Sequence, residues 1–152
     1  MTTPPFRPLF ELRADLAEPL DLGHTPVGHR RVINIVGGEF TGDRLKGRVL
    51  PGGADWQVIR TDGVAVLDAR YTLRAEDGAL VQVTSQGVRR GPPEVIAKLA
   101  RGEDVDPGEY YFRTVMRFET GAPSLAFLNG ILAIAFGRRA PSAVHLWVEE
   151  LL

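Results

Sequence analysis

Apolar and polar residues alternate in short bursts along this chain, and glycine or proline interrupts almost every burst. Phe10, Leu12, Ala14 and Leu16 interleave with Glu11, Arg13, Asp15 and Ala17, the period-two pattern of a half-buried strand. The same reading expects strands at Arg31 to Val36, ended by Gly37-Gly38, near Leu45 to Leu50, and from Asp55 to Arg60. The first eight residues are expected as an arm, and Asp21 to Gly28 as a loop. The clearest element is a hairpin from Val64 to Arg90, turning at Asp77-Gly78, residues that tolerate positive φ. A two-residue turn would set Glu76 opposite Ala79, Tyr71 opposite Thr84, Arg70 opposite Ser85 and Asp68 opposite Gly87. One helix, 92–101, begins at Pro92-Pro93 and stops at Gly102, with Val95, Ile96, Leu99 and Ala100 on one face. Strands at Tyr110 to Thr120, Ile131 to Phe136 and Ala143 to Glu150 complete the chain. No βαβ repeat appears, so the expected fold is all-β with one short helix: a single-domain antiparallel β-barrel of about 8–10 strands.

Composition narrows the functional classes. Lys+Arg number 18 against 19 for Asp+Glu, so net charge provides no drive toward nucleic acid or an anionic membrane, and neither is expected as a partner. The longest apolar run, Ile131 to Phe136, is far below the roughly 20 residues of a membrane helix. With no cysteine, disulfides and thiolate zinc sites are excluded, which suits the cytoplasm as the expected location; the first residues also lack a secretory pattern. His24, His29 and His145 are not at a recognised ligand spacing, so no metal is expected. Gly37 to Gly42 lacks the lysine and hydroxyl of a phosphate-binding loop, and no cofactor is expected. Arg89-Arg90 and Arg138-Arg139 read as exposed turn pairs.

An ordered set of short motifs is more specific. Gly38-Glu39-Phe40-Thr41-Gly42, Gly47 and Gly52-Gly53-Ala54-Asp55-Trp56 precede Asp68-Ala69-Arg70-Tyr71, Asp77-Gly78-Ala79 and Gly87-Val88-Arg89. Tyr111-Phe112-Arg113, Phe118-Glu119-Thr120 and Leu128-Asn129 follow. In order and spacing this series resembles domain-of-unknown-function family 3237, over about Leu9 to Val148. The resemblance implies an antiparallel β-barrel that forms oligomers; it implies no established reaction.

The expected hairpin pairing puts Asp68 beside Arg70 and diagonal to Arg89, with the bare Gly87 opposite. In a cavity, Asp68 would act as acid, base or polar anchor, with Arg70 and Arg113 holding an anionic or carbonyl oxygen. On an outer face, the same group is a surface salt-bridge ladder. Trp56 and Tyr71 would supply stacking area and Asp55 a polar anchor, unless Trp56 is a core residue beside a turn aspartate; Tyr111 and Arg113 would enter the interior or simply be solvated; Asn129 would bind ligand or simply organise its loop. Both hairpin faces look mixed in this register, which favours a partly polar cavity over a solid core. The leading expectation is therefore a small-molecule-binding barrel, with cofactor-independent isomerase, lyase or hydrolase chemistry on a small carbonyl or carboxylate compound. The rival is a non-catalytic module whose strands build a homo-oligomer.

Overall fold

The alternation becomes ten antiparallel strands in the computed structural model, which describes residues 1–152. They are β1 (Phe6–Leu16), β2 (Leu20–Thr25), β3 (Gly28–Thr41), β4 (Lys46–Val49), β5 (Gly53–Ile59), β6 (Ala65–Ala75), β7 (Leu80–Arg90), β8 (Tyr111–Glu119), β9 (Leu132–Arg139) and β10 (Ala143–Leu151). Pairing runs β1-β10-β9-β8-β7-β6, then through β4 at one end and β5 at the other to β3, which pairs back to β1. The ring closes with eight strand positions, β4 and β5 sharing one. Closure leaves no barrel edge unpaired. β2 lies outside the ring, paired only with β3. The expected helix is present as α1 (Pro93–Ala100), with Val95 buried. No helix is long and apolar enough to cross a membrane.

The two halves of the barrel interior differ. One half is packed solid by Phe40, Leu73, Val81, Val83 and Met116, all at most 2 % exposed. Burying each such side chain contributes about 1.5–3 kcal/mol. A kinked 3₁₀ segment, Pro123–Gly130, adds buried Leu125 and Leu128 to this apolar cluster. The other half has a mostly apolar wall interrupted by polar groups and is not filled.

Four local expectations are corrected. Phe6 to Pro8 are no arm: they pair with Leu151 to Glu149 as the start of β1. Asp21 to Gly28 is a hairpin, β2 to β3, not a loop. Gly37-Gly38 does not end β3, which continues to Thr41. Gly38 adopts φ +135°, and a Cβ there would lie 1.9 Å from the Arg13 carbonyl oxygen, so glycine lets β1 and β3 approach. The fourth is the register of the long hairpin. Ala75 and Ala79 flank a three-residue turn in which the Gly78 N–H donates to the Ala75 carbonyl and Gly78 takes φ +90°. Arg70 therefore faces Thr84, Tyr71 faces Val83 and Asp68 faces Gln86. The slip re-sorts both faces: Leu67, Tyr71 and Leu73 share the interior with Val81, Val83 and Ser85, whereas Asp68, Arg70, Gln82 and Gln86 point outward.

Near the packed end, Glu150 is 5 % exposed and accepts from Arg44 at 2.6 Å and Arg7 at 3.0 Å. Burial alone would raise this carboxyl, but the two guanidiniums outweigh it and hold it below its ordinary value. The group's contribution to stability is thus present above its unfolded-chain pKa and lost as pH falls through the lower folded value. Glu150→Gln is expected to cost about 2 kcal/mol at pH 7, because both arginines lose their partner yet remain partly hydrated. Urea unfolding at pH 7 and pH 3 checks this: the deficit should shrink at the lower pH.

Candidate functional site

The unfilled half of the barrel holds a cavity of about 60 Å³ lined by 16 residues, 10 of them hydrophobic. Every strand position of the ring contributes. Apolar walls come from Leu16, Ile33, Leu67, Phe112 and Leu146; polar groups come from Asp55, Gln57, Tyr71, Ser85, Thr114, Arg89 and Arg139. The polar groups are inward because each occupies the alternate position shared with a core residue on its strand. Two glycines shape the walls. A Cβ on Gly87 would meet the Arg113 carbonyl oxygen at 1.9 Å, so Gly87 serves the close approach of β8 and opens no space over Asp68. A Cβ on Gly137 would meet the Phe112 ring at 2.5 Å, so Gly137 seats that ring.

The electrostatics of this half are uneven. Burial pushes the Arg89 guanidinium down to about 10, with repulsion from Arg139 and Arg31 adding to it and Asp55 opposing it. Burial also lowers Arg139, again with Arg31 repelling it. None of the three takes part in the ion pairs of the chain, which involve Arg7, Arg13, His29, Arg44, Lys46, Arg60, Arg101 and Arg138. Arg139 Nη1 is occupied by the carbonyls of Ala140 and Ala143, and its backbone N–H donates to the Tyr110 hydroxyl at 2.8 Å.

Asp55 is the one carboxylate of the cavity wall. Burial raises its pKa, although the Asp68 N–H, at 2.9 Å from Oδ1, and the charge of Arg89 pull the other way. That N–H reaches Asp55 in the interval where the β5–β6 ladder passes from Asp55↔Ala69 to Val58↔Val66. Ser85 donates to Thr114 at 2.9 Å within the wall. By contrast, the Tyr71 hydroxyl, Gln57 Oε1 and Arg31 Nε are buried without any hydrogen-bond partner. Burial pushes the Tyr71 phenol up, so it remains protonated and available as a donor.

Three of the expected site residues, Asp55, Tyr71 and Arg89, converge here. The other six do not. Asp68 points outward, where its Oδ1 accepts from Gln86 at 3.2 Å, and Arg70 is exposed, because the three-residue turn reverses the face they were expected to share with Arg89. Trp56 is 42 % exposed on the outer face of β5. Tyr111 and Arg113 are also outside, Arg113 stacking on Tyr111 and Phe136 at 5.1 and 4.6 Å. Asn129 organises its loop through paired hydrogen bonds with the Thr120 backbone. Arg31, Gln57, Ser85, Thr114 and Arg139 were not anticipated. Arg139 in particular is a wall residue and not an exposed turn cation. The correct hairpin register, with Ser85 and Arg89 on the Leu67–Tyr71 face, would have flagged two of the polar wall groups.

The family model described as protein of unknown function (DUF3237) matches residues 4–151. A UPF0311 protein of Rhodopseudomonas palustris is 41% identical over 144 residues, 95% of this chain and 94% of its own. The crystal structure of a beta-barrel like protein from Acinetobacter baumannii is 41% identical, covers 99% of each chain and superposes with a TM-score of 0.86. A structure described as an enzyme from Penicillium herquei is 18% identical over 97% of this chain and 96% of its own, with a TM-score of 0.72. At that identity the last likeness extends to the fold alone.

Proposed function

Since this chain belongs to the DUF3237 family, we propose that its half-empty barrel binds a small carbonyl or carboxylate compound and moves a proton on it without a cofactor. The observation that carries this is the pair of buried, unpartnered polar atoms, Tyr71 Oη and Gln57 Oε1, on the wall that also holds Asp55 and Arg89. Buried polar groups normally find partners, and leaving one unpaired costs about 1–3 kcal/mol. A ligand hydroxyl satisfies both, accepting from the Tyr71 phenol and donating to Gln57 Oε1. The acid/base role expected of Asp68 passes to Asp55, and the oxygen-holding role of Arg70 and Arg113 passes to Arg89 and Arg139. The Asp55 carboxylate would take a proton from carbon beside a carbonyl; the electron pair would move onto the carbonyl oxygen, stabilised by the guanidiniums. Return of the proton to another atom gives an isomerase, and departure of a β-substituent gives a lyase. The enzyme description of the Penicillium herquei structure is compatible with such chemistry on this barrel. Native mass spectrometry of freshly purified protein tests the reading: a retained small mass is expected, and it should be lost in the Tyr71→Phe, Gln57→Leu double variant. No retained mass, together with no thermal shift from a library of carbonyl and carboxylate compounds, would overturn it.

A second reading, homo-oligomer formation, has its own support. Glu11, Trp147, Phe136 and Arg113 form one row across the outer face of four adjacent strands, β1, β10, β9 and β8. Trp147 and Phe136 are 39% and 38% exposed. The row is acidic at one end and basic at the other, so a two-fold related copy would place Glu11 against Arg113 over an aromatic centre. Light scattering after gel filtration should show Trp147→Glu reducing a multimer to one chain; an unchanged mass removes this face from consideration.

A further inference from the structure

We propose that the compound bound in this cavity is a small organic acid: its anionic group sits among Arg31, Arg89 and Arg139, and its apolar body lies against Phe112 and Leu146. This rests on the cavity being a ligand site, and it identifies the ligand's charge and shape. Two guanidiniums of the cavity wall, Arg89 and Arg139, face one carboxylate, and Arg31 lies close enough to repel both, so the local balance is two positive charges in excess. Such an excess is not a device for stability. Desolvated like charges destabilise a fold, and the ion pairs of the chain all lie elsewhere. The three come from different strands, β3, β7 and β9, so no local sequence constraint groups them; the closed ring does.

The recognition chemistry follows from the donor set. Arg31 Nε is buried and unpartnered. Arg89 lies near the Phe112 ring, its guanidinium carbon 5.7 Å from the centroid, with no hydrogen bond to a protein acceptor. Arg139 spends Nη1 on two backbone carbonyls and keeps its other nitrogens. Planar guanidiniums match the two oxygens of a carboxylate. Below them the wall is predominantly hydrophobic, which disfavours a bare inorganic anion with no apolar surface to bury. Tyr71 Oη and Gln57 Oε1 then face the body of the ligand, where a donor and an acceptor together suit a hydroxyl, and the Tyr71 donor alone suits a keto oxygen.

The test is isothermal titration of the full chain in low-salt buffer with matched pairs: benzoate and benzamide, 4-hydroxybenzoate and 4-hydroxybenzamide, 4-methyl-2-oxopentanoate and 4-methyl-2-oxopentanamide, and inorganic phosphate alone. At least one acid should bind, its amide should bind at least tenfold more weakly, and phosphate should also bind at least tenfold more weakly. Arg89→Met and Arg139→Gln should each reduce acid binding at least tenfold; Arg89→Met should do so with the melting temperature at or above that of the parent, which separates lost recognition from lost folding. An amide binding as tightly as its acid, or phosphate binding as tightly as either, overturns the organic-acid assignment and leaves the small-molecule cavity standing. Silence from all seven compounds also overturns it, and if native mass spectrometry then finds no retained mass the cavity reading falls with it.

Discussion

Asp55→Asn is expected to slow proton exchange on a bound carbonyl compound by about a hundredfold to ten-thousandfold, the range a positioned general base supplies. Asparagine retains an oxygen for the Asp68 N–H that now bonds Asp55 Oδ1 at 2.9 Å, so the β5–β6 junction keeps its hydrogen bond and only the ionisable group is lost. The measurement is deuterium incorporation into the carbon acid, 4-methyl-2-oxopentanoate, followed by proton NMR in D2O. In the parent protein the rate should climb with pH as the carboxyl ionises and flatten above its raised pKa. The variant should show no such limb. Stability provides an independent check of the same residue. A carboxyl whose folded pKa exceeds its unfolded value stabilises fully below the unfolded value, near 3.9, and loses that contribution as pH rises through the folded value. The variant should therefore gain stability relative to the parent between pH 4 and pH 8, read from urea midpoints. Exchange that survives the substitution would remove Asp55 from the chemistry.

Arg89→Met is expected to raise stability by about 1–2 kcal/mol and to abolish binding of organic acids. A cation held in the barrel wall without an ion-pair contact, and with Asp55 too little to offset its burial, costs desolvation energy that a neutral side chain of similar length avoids, and methionine packs as well against Phe112. For a chain of this length the gain corresponds to a rise in melting temperature of about 2–8 °C. A structural arginine would behave oppositely, because its removal would orphan a partner. Arg44→Met offers that contrast: Glu150 loses its 2.6 Å contact and stability should fall. Scanning calorimetry on both variants distinguishes a cation kept for ligand binding from one kept for folding.

The fold was legible because strand alternation and turn residues are local signals. The strands at Phe10 to Leu16, Asp55 to Arg60 and Tyr110 to Thr120, and the helix at 92–101, all appear within a few residues of their expected limits. The site was legible only in part. Asp55 was found because it follows a glycine turn. Asp68 and Arg70 were misplaced by a single residue in the turn, since Glu76-Asp77-Gly78 closes as three residues where two were expected. The apparent mixture on both hairpin faces, which suggested a cavity, was produced by that slip. In the true register the outer face is polar, and the cavity arises instead from polar side chains scattered over several strands.

By itself the sequence determined the class of structure, because periodicity and turn propensity act over neighbouring residues. Which side chains share the interior was decided by tertiary structure alone. Closing the ring brings Asp55, Arg89 and Arg139 from three strands into one chamber, with Arg31 of a fourth beside them, and the register that orients them is set by hydrogen bonds across strands, to which distance along the chain is no guide.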